Sequence, residues 1–268
     1  MRLLIYGMQS SGASTLAFLL AQKPDCAAFV DIWALYAAPS LPGADDVVAK
    51  VVVTTAFPLA LHRERFRPDR TILFLRHPEA NYRSLATKGY RHHCGFLEEK
   101  FSLLDQVFVT GHGFDVIVYY EDLVVDPLGT LARMTDLGWP CTPEFLRLGR
   151  RHSNIKELNE RRYPEIVDRL EYDVGNHHGS GLTQDFAKMA DLPEPGQEVC
   201  RWCPAVSEHY RLLMQQPGQP WAGLCNPATL TDSVSASTSP TSPSGETELA
   251  GTGDDPRPNG HSTDKAHP

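Results

Sequence analysis

The sequence predicts a three-layer α/β protein, in which a mostly parallel sheet has helices on both faces. Five short apolar runs, at about residues 2–6, 27–31, 48–53, 71–75 and 114–119, alternate with helical patterns or connections. Strands that alternate with helices favour parallel βαβ units. The first run is followed by a glycine-bounded loop and then by an apolar helical segment. That order of strand, loop and helix is typical of a P-loop-like phosphate-binding loop.

We predict that one domain occupies residues 1–225 and that residues 226–268 form a tail. The chain has 268 residues and is 41% apolar, which is ample for the core of one domain. The tail is rich in Ser, Thr, Pro, Gly and acidic residues and contains no aromatic side chain. Such a segment buries too little apolar area to offset its conformational entropy, so we expect it to be disordered.

Charge and hydropathy limit the partners that we expect. The formal net charge is −8, and a mildly acidic domain has no global basic face, so nucleic acid is not an expected partner. No apolar run reaches the ~18 residues that a membrane helix needs. Residues 9–11 are polar and interrupt the apolar N-terminus, unlike a signal peptide. We therefore predict a cytoplasmic protein without a membrane partner, in which the six cysteines are reduced thiols.

Cys200 and Cys203 form a C-x-x-C pair that has two interpretations. It can be half of a zinc site, but a complete site needs a second half at suitable spacing, and the sequence contains no second pair. It can equally be two small apolar side chains beside Trp202 on a C-terminal helix. We predict that the protein binds no metal.

The loop after the first strand is the first candidate for phosphate binding. Its spacing, G-x4-G-x-[ST], turns backbone N–H groups toward an anion at the start of a helix. The residues concerned are Ser10, Ser11, Gly12, Ala13, Ser14 and Thr15. Ala13 stands where nucleotide-hydrolysing P-loop proteins have lysine, so the loop lacks the charge that reaches the β- and γ-phosphates. Taken alone, the segment fits either a phosphate-binding loop or a tight βα connection.

A second candidate follows the fourth apolar run. Arg76 comes at the strand end, and Pro78 suits the first turn of a helix that we predict to run through Ala86. Ser84 then lies about two turns into that helix. An arginine fork and a hydroxyl can grip a second phosphate together. The alternative is an arginine that caps a strand end and an incidental helix serine.

Three motifs together resemble those of the PAPS-dependent sulfotransferases, where PAPS is 3′-phosphoadenosine 5′-phosphosulfate. They are the G-x-x-x-S-G-x-[ST]-[ST]-L loop from Gly7, the L-R-x-P run around Arg76 with Ser84 downstream, and Tyr120-Glu121-Asp122-Leu123 followed by Asp126-Pro127. The resemblance covers roughly residues 1–145. It implies a P-loop sulfotransferase fold and transfer of a sulfuryl group from PAPS to a hydroxyl or amine of a small-molecule acceptor, without a metal.

The resemblance also implies roles for individual residues. The first loop, from Ser11 to Thr15, would hold the 5′-phosphosulfate, and Arg76 and Ser84 would hold the 3′-phosphate that remains in the product PAP. Relatives have arginine or lysine where this chain has Ser10, and many have a histidine after the third strand that is missing here. Lys50 or Lys88 are candidates to replace the lost charge. These departures keep a non-catalytic relative that binds PAPS, PAP or a protein partner as an alternative, while Ala13 disfavours a P-loop kinase or NTPase.

Transfer to a hydroxyl needs a group that takes the acceptor's proton. Asp31 is the best-placed carboxylate, because it follows an apolar run whose end lies on the same edge of the sheet as the loop. The alternative is that Asp31 only caps the end of its strand. His62 lies in a polar helical segment, and we expect it to be exposed.

Overall fold

A computed structural model describes residues 1–24, 26–32, 45–93, 95–111, 113–147, 192 and 194–215. The strands in this part of the chain are β1 (Arg2–Gly7), β2 (Cys26–Ile32), β3 (Asp46–Val52), β4 (Arg70–Leu75) and β5 (Val116–Tyr119). They form one sheet in the order β2-β3-β1-β4-β5, and every neighbouring pair is parallel. The predicted α/β class is confirmed. The predicted tail, residues 226–268, lies outside the described residues.

Helices connect and flank the strands. In chain order they are α1 (Ala13–Leu20), α2 (Leu59–Phe66), α3 (Pro78–Ala86), α4 (Leu97–Thr110), α5 (Tyr120–Val125), α6 (Pro127–Asp136), α7 (Gln197–Trp202) and α8 (Pro204–Met214), with a short 3-10 helix at Pro143–Leu146. Right-handed crossovers between parallel strands place such helices on both faces of the sheet. Within the described ranges, none of the helices is long and apolar enough to cross a membrane.

The strands are apolar because parallel sheets are buried on both faces. Leu3, Leu4, Ile5 and Tyr6 of β1 are all fully buried, as expected for the central strand. The segment after α6 closes the core on one side. Its Trp139 is fully buried, and the indole Nε1 donates to the carbonyl of Leu20 at the end of α1, at 3.1 Å.

The connections from β1 and β4 leave these neighbouring strands in opposite directions. From β1 the chain continues to β2 on one side of the sheet, whereas from β4 it continues to β5 on the other side. Connections that diverge from neighbouring parallel strands leave a crevice at the carboxyl ends of these strands, and ligands of such sheets bind there. The loop after β1 and the segment after β4 therefore border the ligand position that the topology favours.

Candidate functional site

The loop between β1 and α1 is a compact turn. The backbone N–H of Ser11 and its hydroxyl both donate to the carbonyl of Met8, at 3.3 and 2.8 Å. Two residues have positive φ angles, 59° at Ser10 and 94° at Gly12. Gly12 is the N-cap of α1, and the N-terminus of a helix presents N–H groups and partial positive charge to an anion. The predicted strand, loop and helix are all present.

Tyr120, the first residue of α5, lies directly on the loop. A Cβ atom added to Gly12 would lie 2.5 Å from Cδ2 and 2.8 Å from Cε2 of the Tyr120 ring. Because real Cβ atoms do not approach other atoms so closely, only glycine fits beneath this ring. The left-handed φ of Gly12 imposes the same requirement independently.

Arg76 joins the loop to the end of β4. Its Nη1 donates to the carbonyl of Ser10 at 2.8 Å, and its Cζ lies 4.6 Å from the centre of the Tyr120 ring. Its Nε is buried and has no hydrogen-bond partner in the described structure. The guanidinium is therefore held between the loop and an aromatic face, and its Nε–H is still available to an acceptor. The ends of β1, β4 and β5 supply these three groups at one place.

The helix that follows Arg76 starts as predicted. Pro78 is the first residue of α3, Nδ1 of His77 accepts a hydrogen bond from the N–H of Ala80 at 3.4 Å, and the helix runs to Ala86. Ser84 is half-buried on this helix, and its carbonyl accepts a hydrogen bond from the Thr87 hydroxyl at 3.1 Å. In the part of the chain that is described, Ser84 makes no hydrogen bond to the loop or to Arg76.

A buried polar network beneath the loop centres on Gln9, and the sequence analysis missed it. Nδ2 of Asn81 donates to the Gln9 carbonyl, and Nζ of Lys100 donates to its side-chain Oε1, both at 2.8 Å. Lys100 is fully buried on α4. One signal was available, because Lys100 stands three residues after Leu97 and one before Phe101, which places it on the apolar stripe of the helix.

A buried carboxylate lies behind Arg76. Oε1 of Glu121 accepts a hydrogen bond from the backbone N–H of His77 at 2.9 Å, and Oε2 accepts one from the Tyr210 hydroxyl at 3.0 Å. Complete burial raises the pKa of Glu121 to about 7. Burial lowers the pKa of His77 to about 4, so its imidazole is neutral at pH 7. The motif glutamate thus connects the end of β4 to α8.

The proposed base, Asp31, lies near the carboxyl end of its strand, as expected, but not next to the loop. Asp31 is the penultimate residue of β2, which is the edge strand, and β3 separates β2 from β1. With strands ~4.8 Å apart, the backbone of Asp31 is about 10 Å from that of β1. The Asp31 side chain lies outside the described part of the structure, so its role stays a prediction.

The other candidates for charge or base lie in different surroundings. Lys50 is buried within β3, where it pairs in register with Ile5, whereas Lys88 is exposed after α3. The expectation that His62 is exposed was wrong. His62 is fully buried against Phe57, with 4.5 Å between ring centres, and burial lowers its pKa to about 4.

The C-x-x-C pair lies on α7 and at its end. The Cys203 thiol is buried and donates to the Val199 carbonyl at 3.2 Å, and burial raises its pKa to about 12. The Cys200 thiol lies 3.5 Å from the carbonyl of Pro195. No group of three or more His, Cys, Asp or Glu side chains suited to a metal ion occurs among the residues that the structure describes.

Comparison with known proteins adds little to this geometry. No protein-family model and no curated protein matches the chain. Among solved structures, mouse sulfotransferase SULT7A1 complexed with PAP is similar over 88% of this chain and 89% of its own, with 12% identity and a TM-score of 0.35.

Proposed function

We propose that the protein binds PAPS at the crevice between β1 and β4 and transfers its sulfuryl group to a hydroxyl or amine of a small molecule. One observation carries the proposal. The Arg76 guanidinium, from the end of β4, lies 2.8 Å from the carbonyl of Ser10 in the loop after β1. The loop and Arg76, which the sequence offered as parts of two phosphate-binding candidates, are thus neighbours at the carboxyl ends of β1 and β4.

The residues present suit such a ligand. The N–H groups at the start of α1 and the hydroxyls between Ser11 and Thr15 would hold the 5′-phosphosulfate. Arg76 and Ser84 would hold the 3′-phosphate. In support of this, the Nε of Arg76 is a buried donor that has no partner among the residues that the structure describes, and an anion beside it would supply the acceptor.

Sulfuryl transfer requires the chain to stabilise the leaving phosphate oxygen and to remove a proton from the acceptor. Bound PAPS supplies an activated sulfuryl group, and PAP remains after transfer. The N-terminus of α1 would stabilise the negative charge that develops on the bridging phosphate oxygen as its bond to sulfur breaks. A carboxylate would take the acceptor's proton, and Asp31 on the same sheet edge is the candidate.

A second candidate function is a relative that binds PAPS or PAP without turnover. Ser10 favours it, because its hydroxyl lies 3.4 Å from that of Tyr90 where the enzymes of the resembled family have a cation. Loss of one cation at a transferring group would slow turnover by about ten- to a hundredfold. Binding of PAP without turnover of PAPS would select this alternative.

The test is calorimetric titration of PAP into the full chain without Mg²⁺, with ADP as the control ligand. We expect micromolar binding of PAP and much weaker binding of ADP, because only PAP carries the 3′-phosphate. Equal affinity for the two ligands would refute the PAPS assignment. In a repeat titration with Mg²⁺, nucleotide binding that requires the metal would favour a P-loop kinase or NTPase.

Arg76→Ala should weaken PAP binding by roughly ten- to a hundredfold, the value of a charged hydrogen bond. Arg76→Lys should fall between this variant and the parent, since lysine keeps the charge but not the fork. The matched control is Arg83→Ala on α3, whose exposed guanidinium pairs with Glu79. The control should bind like the parent. Unchanged affinity in Arg76→Ala would remove Arg76 from the site.

A further inference from the structure

Lys100 is a charged group that the proposed chemistry has not used. It lies on α4, its side chain is fully buried, and its Nζ donates to Oε1 of Gln9 at 2.8 Å and to the carbonyl of Arg91 at 3.0 Å. Burying an ammonium group is costly, and a well-packed apolar residue often serves stability equally well or better. The position of this lysine therefore calls for a reason other than packing.

The Nζ of Lys100 contacts the residue that precedes Ser10, where the loop lacks a charge. Gln9 precedes Ser10, and Lys100 holds its side chain while Asn81 holds its carbonyl, at 2.8 Å. Neither Ser10 nor Ala13 has the cation that related loops carry at these positions. A buried charge acts in a medium of low dielectric, so its field at a neighbouring anion is screened much less than that of a surface lysine.

We propose that Lys100 supplies, from α4, the positive charge that the loop itself lacks, and that it positions the loop for an anion through Gln9. The inference rests on the proposed anion site at the loop. It does not require that the anion be PAPS, because any phosphate or sulfate group at the start of α1 would feel the same charge. Lys100 is thus a positioning residue and not a group that reacts.

Two substitutions separate charge from packing. Lys100→Met keeps a long apolar stem and removes the charge, whereas Lys100→Arg keeps the charge. We expect Lys100→Met to lose about tenfold in affinity for PAP and for inorganic pyrophosphate, the value of one charge-assisted interaction. We expect Lys100→Arg to keep most of the affinity. The matched control is Asp105→Asn on the same helix, which perturbs a buried polar group that accepts a hydrogen bond from Val206, and it should bind like the parent.

Stability gives a second readout. Lys100→Met leaves Gln9 Oε1 and the Arg91 carbonyl without their donor, so its melting temperature should fall. If that loss of stability were the cause of the weaker binding, the control Asp105→Asn should lose affinity in proportion to its own change in melting temperature, whereas loss of affinity in Lys100→Met alone would indicate the charge. If Lys100→Met does not fold, Gln9→Ala provides the test. This variant removes the hydrogen bond between Gln9 and Lys100 but leaves α4 unchanged, and it should lower the affinity for pyrophosphate roughly fivefold.

The two ligands distinguish failure of the inference from failure of the proposed function. Binding of pyrophosphate that depends on Lys100, without preference for PAP over ADP, would support the inference and refute the PAPS assignment. Equal affinity of Lys100→Met and the parent for both ligands would overturn the inference and leave the assignment intact. A parent chain that binds neither ligand would overturn both.

Discussion

Replacing Gly12 by alanine adds one methyl group at a place where the loop leaves no room for it. The added Cβ would lie 2.5 Å from Cδ2 and 2.8 Å from Cε2 of Tyr120. These carbons belong to a rigid ring, so the whole Tyr120 side chain has to move. The ring also carries the Arg76 guanidinium on its face, at 4.6 Å, so the movement would reach the proposed site.

The cost of Gly12→Ala has two parts. A side chain at φ 94° pays about 1–2 kcal/mol of backbone strain. Displacement of the ring adds about 1–3 kcal/mol, the usual cost of overpacking. We therefore expect the free energy of unfolding to fall by about 2–5 kcal/mol.

Urea denaturation of four variants separates the two parts. Gly111→Ala is the matched control, because Gly111 has φ 61° and nothing within 4 Å of an added Cβ, so it should show the strain alone. In a Tyr120→Ala background, Gly12→Ala should likewise cost only the strain, which makes the coupling energy between the two sites about 1–3 kcal/mol. If Gly12→Ala costs no more than Gly111→Ala and its cost is unaffected by Tyr120→Ala, the close packing of the ring on the loop is wrong.

Two further changes test the surroundings of the site. Burial raises the pKa of Glu121 to about 7, so its contribution to stability is complete below pH ~4.5 and is lost as the pH rises through 7. Relative to Glu121→Gln, the parent's free energy of unfolding should therefore fall by about 3 kcal/mol between pH 4.5 and 8. Parallel pH profiles of the two proteins would contradict this. Trp139→Phe removes the hydrogen bond to the Leu20 carbonyl and part of a fully buried ring. It should lower the free energy of unfolding, measured by urea denaturation, by about 1–3 kcal/mol. An unchanged midpoint would show that the indole contributes nothing.

The fold could be predicted from the sequence because its determinants are local. Strands buried on both faces give continuous apolar runs, and the sequence predicted each of the five strands that the described residues contain. The start of α3 followed from Pro78, whose fixed φ suits the first turn of a helix. The prediction that His62 is exposed was wrong. Polar neighbours in the sequence obscured the buried helix face that His62 shares with Leu59 and Phe66. Spacings of three and four residues on that face were the signal.

The details of the site depend on contacts that the sequence pattern does not contain. Gln9 and Lys100 are 91 positions apart, and Ser10 and Arg76 are 66 apart. The pattern places each residue on a strand end or a helix, but which side chain reaches which loop atom depends on strand order and on how α4 packs. That order emerges only when the sheet is assembled, so the sequence indicated Lys50 and Lys88, and not Lys100, for the missing charge.

Three side chains that donate hydrogen bonds to Gln9 and Ser10 come from one stretch of the chain. Arg76, Asn81 and Lys100 all lie between the end of β4 and α4, and they bind the Ser10 carbonyl, the Gln9 carbonyl and the Gln9 side chain. A P-loop lysine is part of the loop itself. In this chain the positive charges lie on Arg76 and Lys100, and they are close to the loop only when these residues pack against it. The proposed anion site is therefore complete only in the folded sheet. Because an anion would favour the arrangement that brings these charges together, its binding should stabilise the contact between these residues and the loop.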